Sequence, residues 1–269
     1  MAVISLQTAA TGLSALNTEM DVIANNLANV NTDGFKASRV NFQDLLYQEK
    51  KLPGVENSNG DQRPTGLYIG LGVQVSGTQL DFQQGSPQPT GRNLDVAIDG
   101  IGFFRVSVEA DRGVDGVAFT RAGNFTLNSD GEIVLATDTG RRLEPVISIP
   151  QEAIEVDIGS DGMVYYSLPG AADPVEAGQI ELSAFINAQG LKQIGENLFT
   201  ETAASGPPVP GNPGEQNLGI LRSGFVEASN VDPTLELVKL IKTQRAFEMN
   251  SNVIRAADET LRAIANLRS

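Results

Sequence analysis

The chain has no histidine, no cysteine and no tryptophan. Histidine is the side chain that most often moves protons near neutral pH, and it is the commonest metal ligand. Its absence removes the usual acid/base and metal-centred chemistries. Without cysteine there can be no disulfide, no thiolate zinc site and no thiol nucleophile. Basic residues are also few, 19 against 33 acidic, which leaves a net charge of −14. A surface that acidic repels phosphate backbones, so no nucleic acid is expected as a partner. No apolar run approaches the roughly 20 residues of a membrane span, so direct membrane insertion is not expected. The opening residues, MAVISLQT, carry neither a basic region nor a long apolar stretch and do not read as a cleaved secretory signal.

Motifs that carry chemistry are missing as well. There is no phosphate-binding Gly-x-x-x-x-Gly-Lys loop and no Gly-x-Ser-x-Gly nucleophile turn. Gly66, Gly70 and Gly72 cluster, but no helical pattern follows them as a dinucleotide site would need. The Asp-Gly pairs lack the alternating ligands of a calcium loop. Paired carboxylates could serve a glycosidase, but among 33 acidic residues such pairs arise by chance, and tryptophan platforms for a sugar are absent. No catalytic residue, cofactor or metal site is expected, and the chain reads as a non-enzymatic structural subunit.

What the sequence does contain is organised by its ends. Near the N-terminus, Leu6, Ala9, Leu13, Leu16, Met20, Ile23, Leu27 and Val30 fall at alternating spacings of three and four. That heptad predicts one long helix over about residues 3–30, roughly 40 Å at 1.5 Å per residue. Gly34 offers a left-handed stop behind it. At the other end, Asp232-Pro233 reads as an N-cap followed by proline in the first helical position. Behind it Leu240, Phe247, Ile254 and Leu261 recur every seven residues. A second row holds Thr243, Asn250, Ala257 and Ile264. Asn25, Asn26, Asn29 and Asn250 lie near these stripes, where polar groups cost stability but can fix register. One such stripe alone would suit a helix covering a globular core. Two of them at the extreme ends suit assembly between copies, with Leu6, Leu13, Met20, Ile23, Leu27, Val30, Leu240, Phe247, Ile254 and Leu261 as the candidate interface beside those asparagines.

The middle has another period. From about residue 67 to 221 short apolar alternations are separated by Asp99-Gly100, Asp115-Gly116, Asp130-Gly131 and Asp161-Gly162, all hairpin signals. Residues 203–219 read as a Pro/Gly-rich loop, and 50–66 as a polar linker or extended arm. The expected fold class is α+β. Long terminal helices over 1–35 and 227–269 pair as a coiled-coil-like inner domain, 36–66 forms a connecting arm, and 67–226 forms a central antiparallel β-rich outer domain. Charge follows the same division. Residues 1–35 hold three acids and no base, and 227–269 hold six of each, so the surplus of acid sits in the middle.

Three stretches resemble one known family. DVIANNLANVNTDGFK at 21–36 is similar to the N-terminal signature of the bacterial flagellar rod and hook proteins. GLGV at 70–73 with LDVAIDGIGFFRV at 94–106 resembles their central motif. GFVEASNV at 224–231 and QRAFEMN at 244–250 resemble their C-terminal signature, with Phe247 where relatives often carry tyrosine. The resemblance implies an axial subunit of the basal body. The terminal helices would line a hollow, rigid tube around the export channel and transmit torque from motor to hook. It also implies export by the flagellar type III apparatus without a cleaved signal, to a rod that spans the periplasm. The implied partners are further copies of the chain, proximal rod proteins, the hook subunit, and peptidoglycan-layer and outer-membrane ring proteins acting as a bushing. The segment at 44–66 resembles that of the distal rod position. A proximal rod or hook position, a secreted adhesin, or a carbohydrate-active enzyme with helical ends remain the alternatives.

Overall fold

The structure, a computed structural model, describes residues 2–54, 64–170, 173–215 and 217–266. Part of the expected arm, 55–63, and the side chain of Ile264 lie outside the described residues. The chain has a long helix at each end and antiparallel strands between them, an α+β architecture. It divides into two compact units. A helical unit takes residues 1–28, 38–79 and 232–269, and a sheet unit takes 29–37 and 80–231.

The helical unit is built on α1 (Ala2–Ala28) and α2 (Pro233–Asn266). Asp232 starts α2 as the sequence predicts. Its Oδ1 accepts from the Thr234 and Leu235 amides at 2.8 and 3.2 Å, satisfying two of the otherwise orphaned N–H groups of the first turn. α1 stops at Ala28, short of Val30. Past it the backbone turns on Asn29: the Thr32 amide donates to the Asn29 carbonyl and the Thr32 hydroxyl to Asn29 Oδ1, both at 3.2 Å. Such local side-chain bonds compete with helix continuation. Gly34 serves a later turn at φ +69° instead of the helix end. The unit is completed by strand Ser38–Asp44 beside Val73–Leu80, and by a hairpin of Tyr47–Lys51 with Leu67–Gly70. Strands therefore occupy part of the stretch expected to be an extended arm. Among the described residues, no helix is long and apolar enough to cross a membrane.

In the sheet unit the widest sheet has the order Lys192–Gly195, Leu198–Thr200, Val117–Thr120, Phe103–Ser107, Leu182–Ala184, Val209–Gly211, with Leu143–Glu144 also paired to Phe103–Ser107. Alternation along Phe103–Ser107 explains its two cores. Phe104 and Val106 join Ile98, Phe125, Leu143, Ile180 and Leu182 on one side. Phe103 turns to the other side, with Phe119, Phe185 and Phe199. Edge-to-face contacts fix the rings, Phe104–Phe125 at 5.1 Å and Phe119–Phe185 at 4.8 Å. A three-stranded sheet of Glu155–Ile158, Met163–Ser167 and Val175–Gln179 lies beyond. Two of the Asp-Gly pairs, Asp130-Gly131 and Asp161-Gly162, close hairpins between consecutive strands. Asp115-Gly116, with both residues at positive φ, ends the long connection between Phe103–Ser107 and Val117–Thr120. Asp99-Gly100 does not close a hairpin, because Val96–Asp99 pairs with Ile220–Ser223 from the far end of the unit. The Pro/Gly-rich stretch expected to be a loop contributes strand Val209–Gly211. That strand sits last in its sheet, the one place where Pro210 withholds no needed N–H.

Candidate assembly surfaces

Three contacts set the register of α1 against α2. Asn26 Nδ2 donates to Glu236 Oε2 at 3.3 Å, and the Thr243 hydroxyl donates to Glu19 Oε2 at 3.2 Å. A Cβ added to Gly12 would stand 3.0 Å from Asn250 Nδ2. These positions step by seven along both helices and in opposite directions, so the helices run antiparallel. Asn26 is almost wholly buried and also binds Ser38 twice, accepting from its amide at 2.9 Å and donating to its carbonyl at 2.8 Å. Glu236, buried in the first turn of α2, sits where a helix favours negative charge, and the Lys239 ammonium bonds it at 2.5 Å.

The candidate interface residues divide by burial. Ile23 and Asn26 are buried, while Leu6, Leu13, Met20, Leu27, Asn29 and Val30 are half-buried and Asn25 is exposed. On α2, Leu240, Phe247, Asn250, Ile254 and Leu261 are half-buried, and Thr243 and Ala257 are buried between them. In α1 the row nearest α2 is not the leucine row. It is the one holding Gly12 and Glu19, beside the buried Ala9, Ala15 and Ile23. Small side chains there let the backbones approach, and Leu6, Leu13, Met20 and Leu27 are left at the flank. Asn29 and Val30 lie past the end of α1, in the sheet unit.

A further surface escaped the sequence reading. On α2, Leu235, Val238, Met249 and Val253 are exposed, Leu235 by 58% and Met249 by 64%. Leu235, Val238 and Met249 lie off the α1-facing row, about 100° or more round the helix from it, while Val253 flanks that row between Asn250 and Ala257. Leu237 and Ile241 are exposed on a third side. The signal was present as apolar residues at 235, 238, 249 and 253, but the stronger seven-residue repeat obscured it. Val253 also lines an open groove of about 750 Å³ with Ile4, Thr8, Ile69, Asn250 and Ala257. Its walls are mainly apolar and it carries no convergent acid/base set. Among the described residues no group of three or more acidic side chains is placed to hold a metal ion.

Charge differs between the units. The helical unit has 11 acidic and 10 basic residues, the sheet unit 22 acidic and 9 basic. The unit that carries these exposed apolar side chains is thus also the one with little net charge.

Comparison with known proteins identifies the family. Residues 6–36 match the family described as Flagella basal body rod protein, 97–166 the Flagellar hook protein FlgE/F/G D1 domain, and 222–267 the Flagellar basal body rod FlgEFG protein C-terminal family. The flagellar basal-body rod protein FlgG of Caulobacter vibrioides is 44% identical over 98% of this chain and 99% of its own length. That of Borreliella burgdorferi is 42% identical over 98% of each chain, and that of Bacillus subtilis 40% identical over 98% of each. The chain therefore belongs to the flagellar basal-body rod family, as a FlgG-like structural subunit of the distal rod and not an enzyme.

Proposed function

We propose that copies of the chain polymerise through their terminal helices into a hollow, rigid tube that carries torque towards the hook and surrounds the export channel. The observation that carries this reading is the apolar surface the helical unit leaves uncovered: the half-buried leucine flank of α1 and the exposed Leu235, Val238, Met249 and Val253 of α2. Each such side chain fully buried between copies contributes roughly 1.5–3 kcal/mol. In the assembled rod the two helices pair as a coiled-coil-like inner domain over 1–35 and 227–269. Residues 36–66 form an arm between subunits, and 67–226 form the outer domain. The seven-residue register of Asn26, Glu19 and Gly12 against Glu236, Thr243 and Asn250 supports the pairing. Lys50, Lys51 and Arg63 of the arm would meet the acidic outer domain of a neighbour. The rod spans the periplasm, and the chain reaches it by type III export without a cleaved signal. Below it are proximal rod proteins, above it the hook subunit, and around it the peptidoglycan-layer and outer-membrane ring proteins form a bushing.

Electron microscopy of basal bodies from a strain lacking this gene tests the reading. The expected particle has a rod that stops short of the outer membrane and carries no hook. A complete rod lacking only its hook would place the protein in the hook instead, and complete flagella would overturn the axial role.

A further inference from the structure

The sheet unit buries two cations around one carboxylate. The Lys36 side chain has no solvent exposure, and its Nζ donates to Glu227 Oε1 at 2.6 Å and to the Gln83 carbonyl at 2.8 Å. Arg121 is also buried. Its Nη1 stands 3.6 Å from Glu227 Oε2, its Nη2 donates to the Gly100 carbonyl at 2.7 Å, and its guanidinium lies 5.5 Å from the Phe103 ring centre. Burial pushes the pKa of both cations down, and Glu227 opposes that in each case. The Gly85 amide adds a further hydrogen bond to Glu227 Oε1 at 2.9 Å.

Lys36 and Glu227 are 191 residues apart in the chain. The backbone repeats their crossing. The Gly34 amide donates to the Glu227 carbonyl at 2.7 Å, and the Ala37 amide to Asn230 Oδ1 at 2.7 Å. Asn230 Nδ2 donates in turn to the carbonyls of Asp81 and Gln83 at 2.8 and 3.1 Å. Gly34 is held at φ +69°, where a Cβ would come within 2.6 Å of the Ala122 amide nitrogen. The segment that follows α1 in sequence is thus fastened to the segment that precedes α2.

We infer that Lys36, Glu227 and Arg121 form an ionic clasp that makes closure of residues 29–37 onto the rest of the sheet unit conditional on residues 225–231. A buried cation is strongly unfavourable without its counter-ion. Until Glu227 is in place, Lys36 stays in water and holds Gly34 to Ala37 away from the sheet. The dependence runs one way. Without Lys36, Glu227 still has Arg121 and the Gly85 amide, and the remaining charges balance one to one.

Hydrogen exchange on the full chain tests this. Glu227→Gln is expected to speed exchange of the Gly34 and Ala37 amides by at least about tenfold, while Phe103–Ser107 and Val117–Thr120 keep their protection. Lys36→Met is expected to stay near wild type throughout. The double variant should recover part of the protection lost in Glu227→Gln, because it leaves one unpaired cation instead of two. Unchanged exchange at Gly34 and Ala37 in Glu227→Gln would overturn the clasp. So would equal opening across Phe103–Ser107, which would make the group ordinary core support. If Glu227→Gln does not fold, the double variant decides: recovery of a folded chain supports the clasp, and no recovery overturns it.

Discussion

Arg141 holds two carboxylates at once. Its Nη1 donates to Glu109 at 2.6 Å and its Nε to Glu196 at 3.2 Å, while Arg112 Nη1 reaches Glu196 at 2.5 Å. The hydrogen bond from Arg112, with that of Arg141 behind it, holds the Glu196 carboxyl below the usual glutamate range. Glu109 is held low chiefly by Arg141. Both carboxyls bind protons less tightly folded than unfolded. Their stabilisation is therefore complete above the ordinary glutamate pKa of about 4.3 and is lost as pH falls through their lower folded values. Arg141→Gln should melt below wild type at pH 7, and the gap should hold down to about pH 4.3 and close only below it. Thermal melts between pH 7 and 3 measure it, and a gap that stays constant down to pH 3 would show that these bonds do not supply the stability.

At the scale of elements, the two helices and the strand-rich middle were legible because each repeats over many residues. Seven-residue spacing over 240–261 and Asp-Pro at 232–233 mark α2 and its cap. The row of α1 that meets α2 was not legible. Hydropathy picks out leucines, while close helix approach selects small residues such as Gly12 and Ala15, which carry little hydropathic signal. Strand Val209–Gly211 was hidden for a related reason: its Pro-Gly content reads as a turn, and only its place at the sheet edge makes it a strand. The Lys36–Glu227 pair could not be read from spacing, since only the fold brings residues so far apart in sequence together.

The same distinction separates two sets of variants. Leu27→Asp or Phe247→Asp puts a charge on the half-buried faces of the helix pair and should destabilise that pair by about 1–3 kcal/mol, with assembly lost as a consequence. Met249→Asp and Val253→Asp alter side chains already in solvent, so the single chain should change by no more than about 0.5 kcal/mol. Polymerisation of these two should nevertheless fail. Circular dichroism melts paired with sedimentation of polymer check both halves. Normal polymer from Met249→Asp would remove the exposed face of α2 from the assembly surface.

For the whole molecule, the decisive quantity is where the net charge of −14 resides. The sheet unit carries 22 acidic against 9 basic residues, and the helical unit is close to balance at 11 against 10. Each copy that joins through apolar helix faces also adds an acidic sheet unit to the polymer. Repulsion among these units is screened by salt, with a Debye length of about 10 Å at 0.1 M and about 3 Å at 1 M. Apolar burial is not weakened by this screening. If apolar contacts drive assembly and charge opposes it, the concentration needed for polymer should fall several-fold, roughly 3- to 10-fold, between 0.05 and 0.5 M NaCl. Contacts between the basic arm and an acidic neighbour would respond in the opposite sense. The sign of the salt dependence, read from the polymer fraction sedimented at each ionic strength, therefore decides between them: polymer that dissolves as salt rises would make ion pairing, and not the exposed apolar rows, the force that joins the subunits.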